Sequence, residues 1–450
     1  MRGAQEMHSA VRRAARWQKG PCSKCPSHPA IGVGAAYVLM ALFGAVHAQQ
    51  YDFSYFTPLA VGNGPRALAM GGACVATVAD GSATSANPAA LTRVAGTQAL
   101  IAGRFIFGAL SLQSGSPLPE DVSLEGSLGA NLMPELVGVV FPLSSVRRRV
   151  TGALAVRSIL DLGRSILVSR IVGREQPSQN YRDIEQTSSG GLYALSIAVG
   201  AELSSRFAAG MSANFLSGRH RMEWSDRSTQ AGVEQEQGWW RQENKFSGFS
   251  LEAGASSKLI NSLDVGLKLS LPHTLTIVHP SFATRGNEST GADVNLRLPA
   301  FFTIGAALRP ARRLCLAIDY HLAPWSKATV DSAITLPGLP LPDAHSFHVG
   351  MEYLFLTGEW TVPVRIGFHT DPRLEREYAQ DEPSQRGEAI SGIAFSAGTG
   401  LQSSTASFDF SVEVGLCDYT GWNVFVQPAE GWSVKERTFR VIFAAAVKVQ

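Results

Sequence analysis

The sequence predicts an all-β chain rolled into a transmembrane antiparallel β-barrel of about fourteen strands. Three observations carry that expectation. Apolar residues recur with period two from residue 97 onward, the segments so patterned are long, and the connections between them alternate between short and long. Period two marks a strand with one apolar face, and no long segment holds the helical period.

Composition sets the bounds. The chain has 450 residues, 45% of them hydrophobic, with 44 Gly. That is enough for several ordinary domains or one large closed β structure, and it excludes a disordered tail. Lys+Arg number 39 against 37 Asp+Glu, so no surplus of positive charge awaits phosphates and no nucleic-acid partner is expected. Charged residues make up 17%, below the roughly 25% of a soluble domain. Even so, no stretch after residue 50 offers the ~20 consecutive apolar residues of a spanning helix.

The first residues read as a secretory signal: Arg2, Arg12, Arg13, Arg16, Lys19 and Lys24 precede an apolar run over 30–46, and the small residues Val46 and Ala48 follow. Residues 1–48 are therefore expected to be removed as a signal peptide, with an N-terminal membrane anchor as the alternative because the run lies near the spanning length. Cys22 and Cys25 form a C-x-x-C pair that leaves with this leader. Cys74, Cys315 and Cys417 remain, an odd number whose spacing suggests neither a disulfide framework nor a metal site, so they are read as inert packing residues and no cofactor is expected.

The strands follow in order at 97–113, 133–143, 150–161, 190–204, 206–225, 246–260, 264–279, 292–309, 313–327, 346–356, 359–371, 387–402, 405–419 and 435–450. Leu314, Leu316, Ile318, Tyr320 and Leu322 alternate with Cys315, Ala317, Asp319 and His321. Phe408, Phe410, Val412, Val414 and Leu416 do the same against Asp409, Ser411, Glu413, Gly415 and Cys417, and Val265, Leu267, Leu269 and Leu271 against Gly266, Lys268 and Ser270. Short turns are expected at 144–149, 205, 261–263, 310–312, 357–358 and 403–404, with long polar loops such as 162–189 and 226–245 at the other end.

An even number of meandering strands with short turns on one side is what an outer-membrane barrel requires, and it brings both chain ends to the periplasmic side. The cause is backbone satisfaction, because among sheets only a closed one has no edge to leave unpaired in hydrocarbon. A secreted sandwich or propeller is the alternative, but its strands would be nearer 5–6 residues. Tryptophans support the membrane reading: Trp224 and Trp325 fall at loop-side strand ends, Trp239, Trp240, Trp422 and Trp432 in long loops, and Trp360 beside a short turn, as interfacial girdles would place them.

Between leader and barrel lies a segment, 49–96, crowded with Gly, Ala and Pro. It contains Gly64-Pro65-Arg66-Ala67-Leu68-Ala69-Met70-Gly71-Gly72-Ala73 and, after Asp80, Ser85-Ala86-Asn87-Pro88-Ala89-Ala90-Leu91. Small residues let backbone pack closely on a barrel wall, and Asn-Pro forms turns. These two stretches resemble the signature of the FadL-type outer-membrane transporters of long-chain fatty acids and aromatic hydrocarbons, a Gly-Gly-Ala segment followed by an Asn-Pro-Ala box. The stretches 266–273, 314–326 and 363–368 resemble that family's barrel in the same order. The fourth residue of the usual Asn-Pro-Ala-Gly box is Ala90 here, and the last strand ends Val447-Lys448-Val449-Gln450, without a terminal aromatic.

The resemblance implies a monomeric barrel, 97–450, with 49–96 folded inside it as an N-terminal hatch whose gating residues are Gly71, Gly72, Asp80, Asn87, Pro88 and Ala89. It further implies a hydrophobic small-molecule ligand, outer-membrane lipid as surroundings, residence in the outer membrane of a Gram-negative bacterium, and passive transport with lateral exit beside the strand at 150–161. A barrel that only docks a secretion or lipid-handling complex is the alternative, since related chains with the same box serve in secretion machinery. Catalysis is not expected. Asp319 and His321 share the non-greasy face of one strand, which allows an acid/base pair, but no nucleophile elbow or metal motif accompanies them. His273, His279, His345, His348 and His369 are read as solvated residues near strand ends, and Arg147, Arg148 and Arg149 as a solvated basic turn able to touch anionic lipid heads.

Overall fold

The computed structural model describes residues 64–114, 122–144, 148–171, 181–230, 233–284, 287–331, 341–378, 386–422 and 431–449. The expected leader, 1–48, lies outside the described residues, as does the start of the segment that follows it. Fourteen antiparallel strands form a closed barrel. In chain order they are β1 Thr97–Ser114, β2 Val122–Ser144, β3 Val150–Asp161 continuing as Arg164–Ile171, β4 Tyr181–Glu202, β5 Phe207–Gln230, β6 Val233–Ile260 and β7 Leu263–Ser270 continuing as His273–Thr284. Then come β8 Val294–Leu298 continuing as Phe301–Ala311, β9 Leu314–Ala323 continuing as Thr329–Asp331, β10 Ala344–Thr357, β11 Trp360–Tyr378, β12 Arg386–Gln402, β13 Ala406–Trp422 and β14 Gly431–Val449. Each strand pairs with its neighbours in sequence. The ring closes where β1 meets β14, from Thr97 opposite Val449 to Ser114 opposite Trp432.

The alternation read from the sequence becomes an inside-out protein. Ile197, Phe215, Ile304, Ile318, Ile366 and Phe408 are exposed, while Arg104, Asn214, Asp319, His348, Glu352 and Arg365 are buried. Charge inside and hydrocarbon outside is the reverse of a water-soluble domain, and it is what a barrel surrounded by lipid tails needs.

Several strands run further than their hydrophobic patterning suggests. The long loops expected at 162–189 and 226–245 are in large part strand, because β3, β4, β5 and β6 continue as ribbons at the long-loop end. There the strands have no lipid to face, so apolar alternation stops while the ladder persists. Ion pairs hold it, including Arg219–Glu243 at 2.6 Å and Arg227–Glu185 at 3.5 Å. Trp239 and Trp240 accordingly lie in β6, and Trp240 stacks on Trp224 of β5 at 6.4 Å between ring centroids. Trp325 does not join a girdle; it sits in a single 3-10 turn, buried against Phe301. Trp360 is exposed beside the short turn at Gly358, as expected. The side chains of Trp422 and Trp432 lie outside the described residues.

Candidate functional site

Residues 64–96 have little regular structure, and local chemistry dictates each piece. Gly64, at φ 107°, leads into helix α1 (Pro65–Ala69), whose Pro occupies the first turn, where a missing N–H costs nothing. Gly71 and Gly72, at φ 62° and 84°, end it in the left-handed region that suits glycine. Asp80 Oδ1 accepts from the Ser82 backbone at 2.8 Å and turns the chain into α2 (Ala83–Ala86). Asn87 caps the 3-10 turn Pro88–Arg93 by accepting from the Ala89 N–H at 3.1 Å.

This segment packs against inward positions on opposite sides of the barrel. Helix α1 lies on β11 to β14 and the 3-10 turn on β3 to β6. Contact is backbone to backbone, and wall glycines permit it. A Cβ at Gly367 would come within 2.0 Å of the Gly71 nitrogen, one at Gly210 within 2.4 Å of the Pro88 carbonyl carbon, and one at Gly350 within 2.5 Å of the Met70 oxygen. Any side chain at these places displaces the segment.

Polar anchors fix the same surfaces. Arg66 forks onto Glu352 with Nε and Nη2 at 3.1 and 2.9 Å, and its third nitrogen donates to the Thr77 carbonyl at 2.9 Å. Burial opposes the Arg66 charge, and the Glu352 carboxylate more than restores it, holding the guanidinium above its ordinary range. Glu352 also accepts from Arg365 at 2.7 Å, and Arg365 reaches Asp409 at 2.6 Å, so one chain of alternating charge crosses β10, β11 and β13. A second begins at Arg157 and Lys268, both 3.1 Å from Glu252, and Lys268 continues to the Ser85 carbonyl. Asn87 Nδ2 donates at 3.0 Å to both the Val75 and the Ala255 carbonyls, tying two parts of the segment to β6.

Of the residues singled out from sequence, Gly71, Gly72, Asn87, Pro88 and Ala89 meet the wall. Gly71 donates to Ser396 Oγ at 3.1 Å, a Cβ at Gly72 would strike the His348 ring, and Pro88 with Ala89 lie against Gly210 and Gly254. The hydrogen bonds Asp80 makes to Ser82 serve its own turn.

The hydrogen bonds of Asp319 and His321 go to different partners. Asp319 Oδ2 accepts from the Cys74 and Val75 N–H groups at 2.7 and 2.8 Å, and His321 Nδ1 bonds Thr303 Oγ1 at 2.9 Å. His348 and His369 are not solvated: both are buried, they stack at 5.3 Å, and His348 Nδ1 donates to the Gly71 carbonyl at 2.7 Å. His273 is bonded to the Leu271 carbonyl at 3.0 Å and His345 to the Tyr320 hydroxyl at 2.7 Å; the His279 side chain lies outside the described residues. In the basic turn the described arginines, Arg148 and Arg149, are exposed, and Arg149 also bonds the inner segment. It donates to the Thr92 carbonyl at 2.8 Å, and Arg147 lies outside the described residues. Cys74, Cys315 and Cys417 are buried.

Sequence reading passed over Arg66, Glu352 and His348 as anchors. The available signal was charge or glycine at inward positions of otherwise greasy strands: Gly350 between Val349 and Met351, and Gly367 between Ile366 and Phe368.

The longer of the two ladder interruptions flanking β3 among the described residues lies toward β2. β2 pairs with β3 over Leu136–Ser144 and again over Val122–Ser127, but 128–135 of β2 and 158–164 of β3 make no ladder with each other. The break at Leu162 and Gly163 explains it. Leu162 donates to the Gly190 carbonyl at 3.1 Å and accepts from Ser188 Oγ at 2.7 Å, while Gly163 donates to Asp161 Oδ1 at 2.9 Å, so this stretch bonds to β4 and to itself. Opposite it, Pro134 has no N–H to offer. Toward the long-loop end the inward positions turn apolar: Phe246, Leu275, Ile277, Val294 and Leu296 are buried on adjacent strands, with Phe246 opposite Ile277 and Leu275 opposite Leu296.

No protein-family profile matches the chain, and no curated protein matches it. Solved structures do. The toluene transporter TodX of P. putida aligns over 86% of this chain and 99% of its own, at 14% identity and a TM-score of 0.58. A Pseudomonas aeruginosa FadL homologue covers 84% of this chain and 96% of its own at 13% identity and TM-score 0.56. The Ralstonia pickettii toluene transporter TbuX covers 86% and 99% at 14% identity and TM-score 0.54. The fold is thus that of the FadL-type channels.

Proposed function

We propose that this chain is a FadL-type outer-membrane channel that passes hydrophobic small molecules down their own gradient, with 49–96 as a hatch in its throat and the interruption between β2 and β3 as a lateral exit. The observation that carries the reading is the junction of a wall-anchored inner segment with a barrel whose β2–β3 ladder is interrupted. A water-filled pore would do nothing for an apolar molecule, which gains free energy only by moving between greasy sites. The apolar inward patch around Phe246, Ile277 and Leu296 supplies such a site on the approach. The gap supplies a way into the bilayer that avoids the polar anchors below.

Long-chain fatty acids and monoaromatic hydrocarbons are the two ligand classes to test. The first is implied by the Asn-Pro-Ala box; the second is what solved barrels of this fold are described as carrying. The detergent-purified native chain is mixed with a fluorescent long-chain fatty acid and challenged with unlabelled fatty acid or toluene. Saturable binding displaced by either competitor supports transport. Absence of saturable binding by a folded barrel to either class sinks the reading and favours a docking role.

A further inference from the structure

Arg104 starts on the lumen side of β1. It is paired in register with Ile442, which packs on Leu68 of α1, and it alternates with the exposed Ile101 and Phe107. Its guanidinium ends at Ser158 of β3, with Nη2 3.1 Å from Oγ. Ser158 is in phase with the exposed Leu154 and Val156 and pairs with Tyr193 of β4, yet it is itself buried at 1% exposure, beside the register shift between Ser158 and Leu160. The buried side chain therefore reaches from β1 to β3 in the stretch where β2 and β3 make no ladder.

Its companions come from both lips of the gap. Glu135, 3.0 Å from Nη1, is the extra residue of a bulge in β2, where Ala102 faces Leu136 but Gly103 already faces Pro134. That bulge turns a residue inward that regular alternation would have kept out. Asp161, 3.9 Å from Nη2, stands on β3 at the strand break. Arg104 is 1% exposed, so the charge occupies the opening rather than a solvated edge.

Resting on the lateral-exit reading, we infer that Arg104 is the bolt of the β2–β3 opening: held by Glu135 on one lip and by Ser158 and Asp161 on the other, its guanidinium keeps apolar molecules from leaving until it withdraws. A cation in a wall facing hydrocarbon is costly unless paired, and the two carboxylates stabilise it there. An apolar ligand offers the guanidinium no replacement for those partners, so passage requires the side chain to move with them.

The test uses the full chain in lipid vesicles, preloaded with a fluorescent fatty acid and, separately, with the neutral aromatic probe N-phenyl-1-naphthylamine. The rate at which bound probe enters the bilayer is read beside its equilibrium binding. The variant Arg104→Met with Glu135→Gln and Asp161→Asn leaves no unpaired charge and opens the bolt. Release should quicken about tenfold, the equivalent of 1.4 kcal/mol off a barrier, with binding unchanged. Ser158→Ala removes one hydroxyl, leaves every charge paired, and should quicken release by about threefold; it carries the test alone if the triple variant does not assemble. Arg104→Lys keeps the cation and should stay near native. Native release in an assembled triple variant, or in Ser158→Ala if only that assembles, overturns the inference while leaving the channel reading intact. Absence of any release from the native chain overturns the channel reading, and the bolt with it.

Discussion

The backbone nitrogen of Gly71 lies 2.0 Å from where a Cβ would stand on Gly367, so the inner segment and strand β11 can touch only because Gly367 carries no side chain. Gly367→Ala is expected to lift α1 off the wall at about 1–3 kcal/mol. Thermal unfolding followed by the mobility shift of folded barrels in gels measures the loss, and influx of a small hydrophilic dye into vesicles should rise with it. An unchanged midpoint and unchanged influx would contradict the packing.

Asn87 satisfies the Val75 and Ala255 carbonyls with one amide. Asn87→Ala should leave those buried acceptors short of a donor, each costing about 1–3 kcal/mol. Asn87→Asp should fare no better, since a carboxylate oxygen then faces two carbonyl oxygens. Proteolysis within 64–96 should become faster in both variants while the barrel stays intact.

Glu352 stands between Arg66 and Arg365, and Glu352→Gln leaves two guanidiniums facing each other, an expected loss of about 3–5 kcal/mol. Adding Arg66→Met should recover part of it. A double-mutant cycle on the unfolding midpoint reports the coupling, and strict additivity would mean that the fork contributes nothing.

Asp319 separates a structural carboxylate from a catalytic one. Its Oδ2 holds two segment N–H groups, and Oδ1 fits because Gly305 leaves space for it. Asp319→Asn can present the same oxygen and should retain native dye exclusion, whereas Asp319→Ala should leak. No variant is expected to change ester hydrolysis from the background rate. A native hydrolysis that Asp319→Asn abolishes would revive the acid/base reading.

Removing 64–94 tests the hatch as a whole. Dye influx should rise severalfold in a barrel that still assembles, and equal influx would mean that the segment does not stop the throat.

Strand number and facing were legible because lipid on one side and polar groups on the other impose a period of two, as in Leu316 and Ile318 against Ala317 and Asp319. The ribbons of β3 to β6 were not, since beyond the bilayer Arg219 and Glu243 hold a ladder without any hydrophobic signal. The Asn87 box was legible as a turn, but its partner Ala255 was not: a carbonyl 168 residues away leaves no mark on its side chain.

By itself the sequence determined a closed sheet with an apolar exterior, a glycine-rich leading segment and a turn at Asn87, all of which follow from local periodicity and backbone freedom. Only the tertiary structure decided which wall glycines receive that segment, that Asp319 holds the Cys74 and Val75 amides, and that Arg104 reaches Glu135 and Ser158 at the interrupted β2–β3 ladder. These depend on register and on a single-residue bulge, and one inserted residue exchanges inside for outside without altering the composition on either side of it.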